Sequence, residues 1–328
     1  MTKSLTLLWS MIALAGLLVS GCNKDQVIVD DDTPPPGVTN EQDAIKYYAE
    51  NDEFVRNDEQ TFTDEDIQPM GNGAFGMIEA EITPLRFGRF VTSVTTTVTV
   101  TVQPGDSIAI AHVHKDISGD FKILAINGAG DTVLIVKAFV DQSDRNVIFK
   151  RVNRDVRRFW RNWVPVATSL VEGGTNPQPA GHEINLVKLQ VFLPNGDTIT
   201  VTDPTSFYLR YRWLRLFGGG AHDVPELEAN HRIVLEATVV SASPDTDLVA
   251  LRYGLGLFKR RFRMQMVSEV DNGNGTWTRV YSTTGVNATV PLHRGFFHMG
   301  VDAATRTTLF DDVAPYSVSW WGVPYRVF

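Results

Sequence analysis

Apolar and polar residues alternate along most of this chain, and the period of the alternation divides it into one helix and two runs of strands. Over Glu41 to Val55 the residues Ala44, Ile45, Tyr48 and Phe54 fall near one side of a helical wheel, with Asp43, Glu50, Asp52 and Glu53 elsewhere. That spacing predicts an amphipathic helix. From Phe87 the pattern becomes that of strands. Val91 and Val94 lead into Val98, Val100 and Val102, which keep a period of two among the threonines of Thr92 to Thr101. β-Branched residues in that rhythm predict a half-buried strand. Ser107 to His114, Phe121 to Ile126, Thr132 to Val140 and Asn146 to Val152 read as four more strands. Pro104-Gly105-Asp106, Ser118-Gly119-Asp120 and Asn127-Gly128-Ala129-Gly130 separate them as turn clusters, the spacing of a meandering antiparallel sheet.

Residues 171–182, with Glu172-Gly173-Gly174 and two prolines, read as a linker. A second strand-rich run follows: Glu183 to Leu193, Thr198 to Thr202, Ser206 to Leu214, His231 to Val240 and Leu248 to Tyr253. It continues through Arg261 to Val270, Trp277 to Ser282, Ala288 to Leu292, Gly295 to Ala303 and Tyr316 to Phe328. Turn signals such as Pro194-Asn195-Gly196-Asp197 and Asn272-Gly273-Asn274-Gly275 recur between them, the rhythm of a β-sandwich. The expected fold is mainly β. Residues 41–170 form an N-terminal α+β domain with a curved antiparallel sheet, and residues 183–328 form a sandwich domain.

The first residues have another character. Lys3 precedes an almost wholly apolar stretch, Leu5 to Val19, too short for a comfortable span and ending in small residues. Val19-Ser20-Gly21-Cys22 then resembles the lipobox of bacterial lipoproteins. The resemblance implies that residues 1–21 are a signal peptide, that cleavage precedes Cys22, and that this cysteine carries diacylglycerol and usually an N-acyl chain such as palmitate. Two or three acyl chains make a stable anchor where one is marginal. The implied location is the cell envelope, anchored by lipid at the outer membrane, on its periplasmic or surface face. Cys22 is the only cysteine, so the chain contains no disulfide and no thiolate metal site or cysteine nucleophile in its folded part.

Charge separates the next segment from the rest. Residues 23–70 hold 14 Asp/Glu against 3 Lys/Arg, whereas residues 71–328 hold 24 against 26. Within residues 22–40, Asp30-Asp31-Asp32 and Pro34-Pro35-Pro36 mark an extended, solvated tether. Asn23 stands where an aspartate would suggest inner-membrane retention in enterobacterial lipoproteins. The acidic run loosely resembles surface-export signals of Bacteroidetes lipoproteins. The balance excludes nucleic acid as a partner.

Two further resemblances concern fold. A helix before a long curved sheet, closing on Arg157-Arg158-Phe159-Trp160-Arg161-Asn162-Trp163, resembles the cone-shaped nuclear-transport-factor and ketosteroid-isomerase group. That group usually has about three helices before its sheet, and one is legible here. Gly295-Phe-Phe-His-Met-Gly-Val-Asp-Ala, followed by Tyr316 and Trp320, resembles the last strands of bacterial immunoglobulin-like domains. Residues 183–328 are long for one such domain, and an insertion around Leu216 to Glu228 accounts for part of the excess.

Candidate chemistry is sparse. His112 and His114 share a face of a strand and could bind one metal, but no third ligand stands near in sequence. They are read as solvent-face histidines, as are His293 and His298. Asp271-Asn272-Gly273-Asn274-Gly275-Thr276 has oxygens at alternate places, yet the twelfth position of a calcium loop would be Ser282, so it reads as a hairpin. Asp302, Asp311 and Asp312 are a weaker calcium candidate. Lys150, Arg151, Arg154, Arg157, Arg158 and Arg161 alternate with Val152, Val156, Phe159 and Trp160. Arg154, Arg157, Arg158 and Arg161 are the candidate surface for an envelope protein or an acidic glycan. The plainer reading is a solvated face, or pairing with the chain's own acidic segment; the smaller group Lys259, Arg260, Arg261 and Arg263 reads alike. Trp160, Trp163, Trp320 and Trp321 are expected in cores rather than on a glycan-binding platform. No Gly-x-Ser-x-Gly elbow, His-Glu-x-x-His or P-loop is present. No cofactor, metal or catalytic residue is assigned, and the expected role is a non-enzymatic structural, adhesion or binding module. The alternative is a small-molecule or glycan-binding lipoprotein with a cup in residues 41–170.

Overall fold

The computed structural model describes residues 33–51, 68–69, 81–192, 196–210, 222–223, 226–227, 232–253, 260–283, 286–287 and 295–327. The chain is mainly β. In order its elements are α1 (Glu41–Asn51), β1 (Gln68–Pro69), β2 (Ile82–Val102), β3 (Ile108–Asn127), β4 (Thr132–Arg151), β5 (Trp163–Ser169) and β6 (Val171–Thr175). There follow β7 (Ile184–Phe192), β8 (Thr198–Val201), β9 (Tyr208–Arg210), β10 (His222–Asp223), β11 (Glu226–Leu227), β12 (Arg232–Ser241) and β13 (Leu248–Tyr253). The last are β14 (Arg260–Arg263), β15 (Gln265–Asp271), β16 (Trp277–Ser282), β17 (Val286–Asn287), β18 (Gly295–Ala304), α2 (Arg306–Phe310) and β19 (Val318–Val327). None of the described helices is long and apolar enough to cross a membrane.

The helix starts where the sequence provides a cap. Asn40 Oδ1 accepts from Asp43 N at 2.9 Å, and Asp43 Oδ2 accepts from Thr39 N at 3.1 Å. This reciprocal arrangement satisfies donors that the first helical turn leaves open. Ala44, Ile45 and Ala49 are buried, Ile45 and Ala49 against Ala109, Ala111, Phe149 and Trp163. Of the helix expected to Val55, residues beyond Asn51 lie outside the described residues. Of the tether, residues 33–40 are described and hold no helix or strand, and their end is pinned: Val38 is buried with Ala44 and Trp160.

Strands β2, β3 and β4 form one antiparallel meander of unusual length, 21, 20 and 20 residues. At about 3.3 Å per residue each reaches roughly 65 Å. The turns at Gly105 and Gly130, with φ of 93° and 87°, lie in two of the clusters predicted from sequence. The third expected turn is wrong. Ser118-Gly119-Asp120 lies mid-strand, where β3 stays paired to β4 without interruption. A Cβ on Gly119 would sit 2.0 Å from the carbonyl oxygen of Phe90, so glycine here permits close backbone approach beside the bulge between Val91 and Ser93.

The polar run Asp141 to Arg145 likewise does not interrupt β4. Its odd-numbered residues continue the inward face, so Lys137, Asp141, Ser143 and Arg145 are all buried. Asp141 meets Arg89 at 2.6 Å and also accepts from Thr175 Oγ1 at 3.2 Å and Tyr316 OH at 3.4 Å. Burial raises the Asp141 carboxyl above its ordinary range, with the Arg89 guanidinium opposing part of the rise. Lys137 Nζ donates to the carbonyls of Thr307, Thr308 and Asp311 at 3.3, 2.8 and 2.6 Å, closing the C-terminal end of α2.

The expected linker also differs. Residues 171–175 form β6, paired with β4 through Asp144↔Glu172 and with β19 through Trp320↔Gly173. A Cβ on Gly173 would stand 2.3 Å from the Trp320 ring, so this glycine too marks close packing rather than a loose connection. Strands from both halves of the chain therefore share one sheet, in the order β1-β2-β3-β4-β6-β19-β18-β13-β14. A second sheet, β15-β16-β12-β7-β8, faces part of it. Leu186, Leu189, Leu235, Ala237 and Tyr281 from that sheet meet Val249, Val301, Trp321 and Tyr325 from the first in a common core. Trp160, Trp163, Trp320 and Trp321 are all buried, as expected. The predicted strand Arg261 to Val270 breaks at buried Met264, where the chain passes from one sheet to the other.

Removing one member of a buried ion pair leaves the other charge without compensation, at a cost of about 3–5 kcal/mol. Arg89→Met is expected to lose stability in that range by urea unfolding, and Arg89→Met with Asp141→Leu to recover most of it.

Candidate functional site

The register of the β3–β4 hairpin builds a polar ladder on its outer face. His112 pairs with Asn146, His114 with Asp144, and Asp116 with Gln142. The even-numbered residues of both strands point outward here, because the odd-numbered ones fill the core. Thr99, Thr97 and Thr95 of β2 continue the rungs on one side, and Glu172 of β6 continues the central rung on the other.

The ladder lies beside a fork in the sheet. The run β5–β6 pairs with β4, but its first half offers its far edge to β9 and its second half to β19. A 3-10 turn, Pro204–Ser206, packs at this fork against β4, β5 and β6. Asp203 caps it, accepting from Ser206 N at 3.1 Å, and hydrogen bonding from the Ser206 side chain, with its backbone N and Thr205 adding to it, holds the Asp203 carboxyl below its ordinary range. Asn146 ties the ladder to the fork: its backbone N donates to Ser169 Oγ at 2.8 Å and its Nδ2 to the Thr205 carbonyl at 3.1 Å.

Two imidazoles converge on one carboxylate oxygen. His114 Nδ1 lies 2.8 Å and His112 Nε2 3.0 Å from Asp144 Oδ1. The outer nitrogens also have partners, His112 Nδ1 at 3.1 Å from Asn146 Oδ1 and His114 Nε2 at 3.4 Å from Asp116 Oδ1. Gln142 Nε2 donates to the same Asp116 oxygen at 2.8 Å. The hydrogen bond to Asp144 raises the His114 pKa, with Asp116 adding to the effect. Burial pushes Glu172 up, and the nearby carboxylates of Asp203 and Asp144 push it further. One nitrogen from each of His112 and His114 and one oxygen from Asp144 lie within 4.8 Å of one another, close enough to hold a metal ion.

The sequence singled out the two histidines and missed the third member. Asp144 stands 30 residues from His114, but both are equally far from Ala129 at the hairpin turn. An uninterrupted β3–β4 hairpin would have placed them opposite each other; the glycine mistaken for a turn hid that register. His298 is buried and His293 lies outside the described residues.

The other candidates separate. Asp271 to Thr276 is the β15–β16 hairpin turn, with Gly273 and Gly275 at φ of 72° and 81°. Asp302 is paired with Arg252, whereas half-buried Asp311 and exposed Asp312 gather with exposed Glu81 as an acidic group. Arg154, Arg157 and Arg158 are exposed on the loop after β4, and Arg161 is half-buried in the short turn Phe159–Arg161. Arg154 lies 3.5 Å from Asp106. Arg151 pairs with Glu41 at 2.7 Å and Asp106 at 2.7 Å, and stacks on Trp163, so part of this basic stretch meets the chain's own acidic segment. Arg261 lies over the Phe87 ring. Cys22 and Lys259 lie outside the described residues.

Comparison with protein-family models, curated proteins and solved structures finds no match for this chain.

A His pKa raised by folding contributes stability that is fully present below the unfolded pKa of about 6.5 and is lost as pH rises through the folded value. In chelator-treated protein, Asp144→Asn is expected to lower the His114 pKa, read by imidazole NMR titration. The native chain should gain stability over this variant as pH falls from 8 to 6.

Proposed function

We propose that this chain is a lipid-anchored envelope protein, held at Cys22, that works as a non-enzymatic structural, adhesion or binding module. The observation that carries the reading is an open strand edge. Among the described residues, Thr132–Val140 of β4 is paired with β3 on one side and with no strand on the other. Leu134, Val136 and Val140 are 61%, 50% and 52% exposed along that segment. An edge of this length, whose outward residues Thr132, Leu134, Val136, Ala138 and Val140 carry no charge while Lys137 turns inward, is a template for adding a strand from another chain.

The position of the tether supports the anchored arrangement. Val38, α1 and the exposed arginines 154, 157 and 158 lie at the end of the meander that carries the β2–β3 turn, as the pairing of Arg151 with Glu41 and Asp106 requires. The open edge begins beside the β3–β4 turn, at the other end of strands roughly 65 Å long. A chain held at Cys22 would present that edge away from the membrane.

The finer fold assignments belong to the same proposal. One helix packed across β2, β3 and β5 is compatible with a cone-shaped N-terminal domain. Two facing sheets ending in the β18–β19 pair support an immunoglobulin-like C-terminal one. The cup-like alternative has less support. Among the described residues, the cleft lined by Phe87, Arg89, Phe121 and Tyr316 has a volume of about 30 Å³, room for a few waters, and Leu248, Asp302 and Val318 from the second half of the chain help to wall it.

Cys22→Ser is expected to abolish palmitate labelling and release the protein from the membrane fraction; unchanged labelling and fractionation would remove the anchor. Val136→Lys, an exposed substitution, should shift stability by less than about 0.5 kcal/mol. It should weaken cross-linking in intact cells from a photoreactive residue at position 134. Undiminished cross-linking would count against the open edge as the adhesive surface.

A further inference from the structure

We propose that His112, His114 and Asp144 form a binding site for a divalent first-row transition ion of the zinc class, on the outer face of the β3–β4 hairpin.

The outer partners of the two rings bear on where their hydrogens lie. Asn146 Nδ2 donates to the Thr205 carbonyl, which fixes the amide orientation and leaves Asn146 Oδ1 facing His112 Nδ1. An amide oxygen accepts only, so His112 Nδ1 carries the hydrogen and Nε2 presents a lone pair. At His114 both nitrogens face carboxylates, Nδ1 toward Asp144 at 2.8 Å and Nε2 toward Asp116 at 3.4 Å. Without a metal Nδ1 donates to Asp144, and the other tautomer, donating from Nε2 to Asp116, frees Nδ1 as a ligand. His112 Nε2 and His114 Nδ1 thus both face Asp144 Oδ1, from 3.0 and 2.8 Å.

The His112 lone pair and the Asp144 oxygen repel unless positive charge lies between them. One divalent cation supplies that charge and meets all three ligand atoms at a single point. The spacing suits the cation: metal bonds of about 2.0–2.2 Å place neighbouring ligand atoms about 2.8–3.4 Å apart. The outer hydrogen bonds are those that orient metal-binding histidines elsewhere, from a carboxylate and an amide oxygen. Imidazole nitrogens with one carboxylate favour zinc, copper or nickel over calcium or magnesium. The side chains of His112, Asp144 and His114 are 46%, 38% and 28% exposed, which leaves the remaining coordination positions to water or an incoming ligand. Glu172 and Asp203 add negative charge at the fork and draw a cation toward it.

The test uses the full chain in detergent after chelator treatment. Titration with zinc by calorimetry, and with cobalt as a visible-absorption probe, should show a site lost in His112→Ala/His114→Ala and kept in His182→Ala. Asp116→Ala removes only the outer partner of His114 and should weaken binding roughly 10–100-fold. Circular dichroism and the melting temperature without metal establish that each variant is folded. If the double variant does not fold, copper bound to the native chain provides the second measurement, by pulsed electron paramagnetic resonance. Two equatorial imidazoles would support the site, and fewer than two would overturn it. Equal zinc stoichiometry and affinity in the folded double variant would overturn it as well.

Discussion

The structure depends on strand β4 satisfying different neighbours along its length. One edge pairs with β3 throughout, while the other runs from an edge with no strand partner among the described residues to β6 and then to β5. Because a strand's side chains alternate with a period of two, that one register also decides what lies above and below the sheet. It directs Lys137, Asp141 and Arg145 into the interior, and sets Asp144 and Asn146 on the outer face opposite two histidines. Slipping it by one residue would exchange those roles along some 65 Å of sheet.

Buried charges tie the distant parts of the chain to this register. Arg89 of β2 and Asp141 of β4 meet in the core beneath Tyr316, and Lys137 closes the carbonyl end of α2 just before the final strand. In the second sheet Arg279 of β16 pairs with Asp247 at 2.8 Å, both side chains fully buried. Such pairs lose hydration on folding, and much of their attraction only offsets that loss. Their consequence is specificity, since each charge has few positions where a partner can meet it. The glycines at 119 and 173 act to the same end by admitting a neighbouring carbonyl and an indole ring where a Cβ would not fit.

The polar ladder exists because the fork holds it in place. A flat, evenly paired hairpin would leave His112 and His114 as two mobile side chains on a wet face. Here β6 brings Glu172 beside Asp144, and the turn at Pro204 accepts the Asn146 amide. The same sheet therefore carries a preorganised cluster and an exposed apolar edge, with the tether docked at the end of the meander that carries the β2–β3 turn.

The chain's pattern alone determined a good part of this. The period of two announced a mainly β protein, and the helical spacing of Ala44, Ile45 and Tyr48 announced α1. The turns at Gly105, Gly130 and Asp271–Thr276 were legible because positive backbone angles and short polar side chains act locally. The burial of the tryptophans followed from their size. Where a residue's meaning came from a distant partner, local pattern failed. Gly119 and Gly173 looked like a turn and a linker because glycine serves both bending and close approach, and only the neighbouring backbone and ring decide which. Asp141 to Arg145 looked like a break because an inward charge is credible only once Arg89 is opposite it. Asp144 had no visible connection to the histidines until strand pairing put them on one rung. Sequence determines what each short segment prefers; which polar groups meet is decided by contacts made across tens of residues, and these exist only in the folded chain.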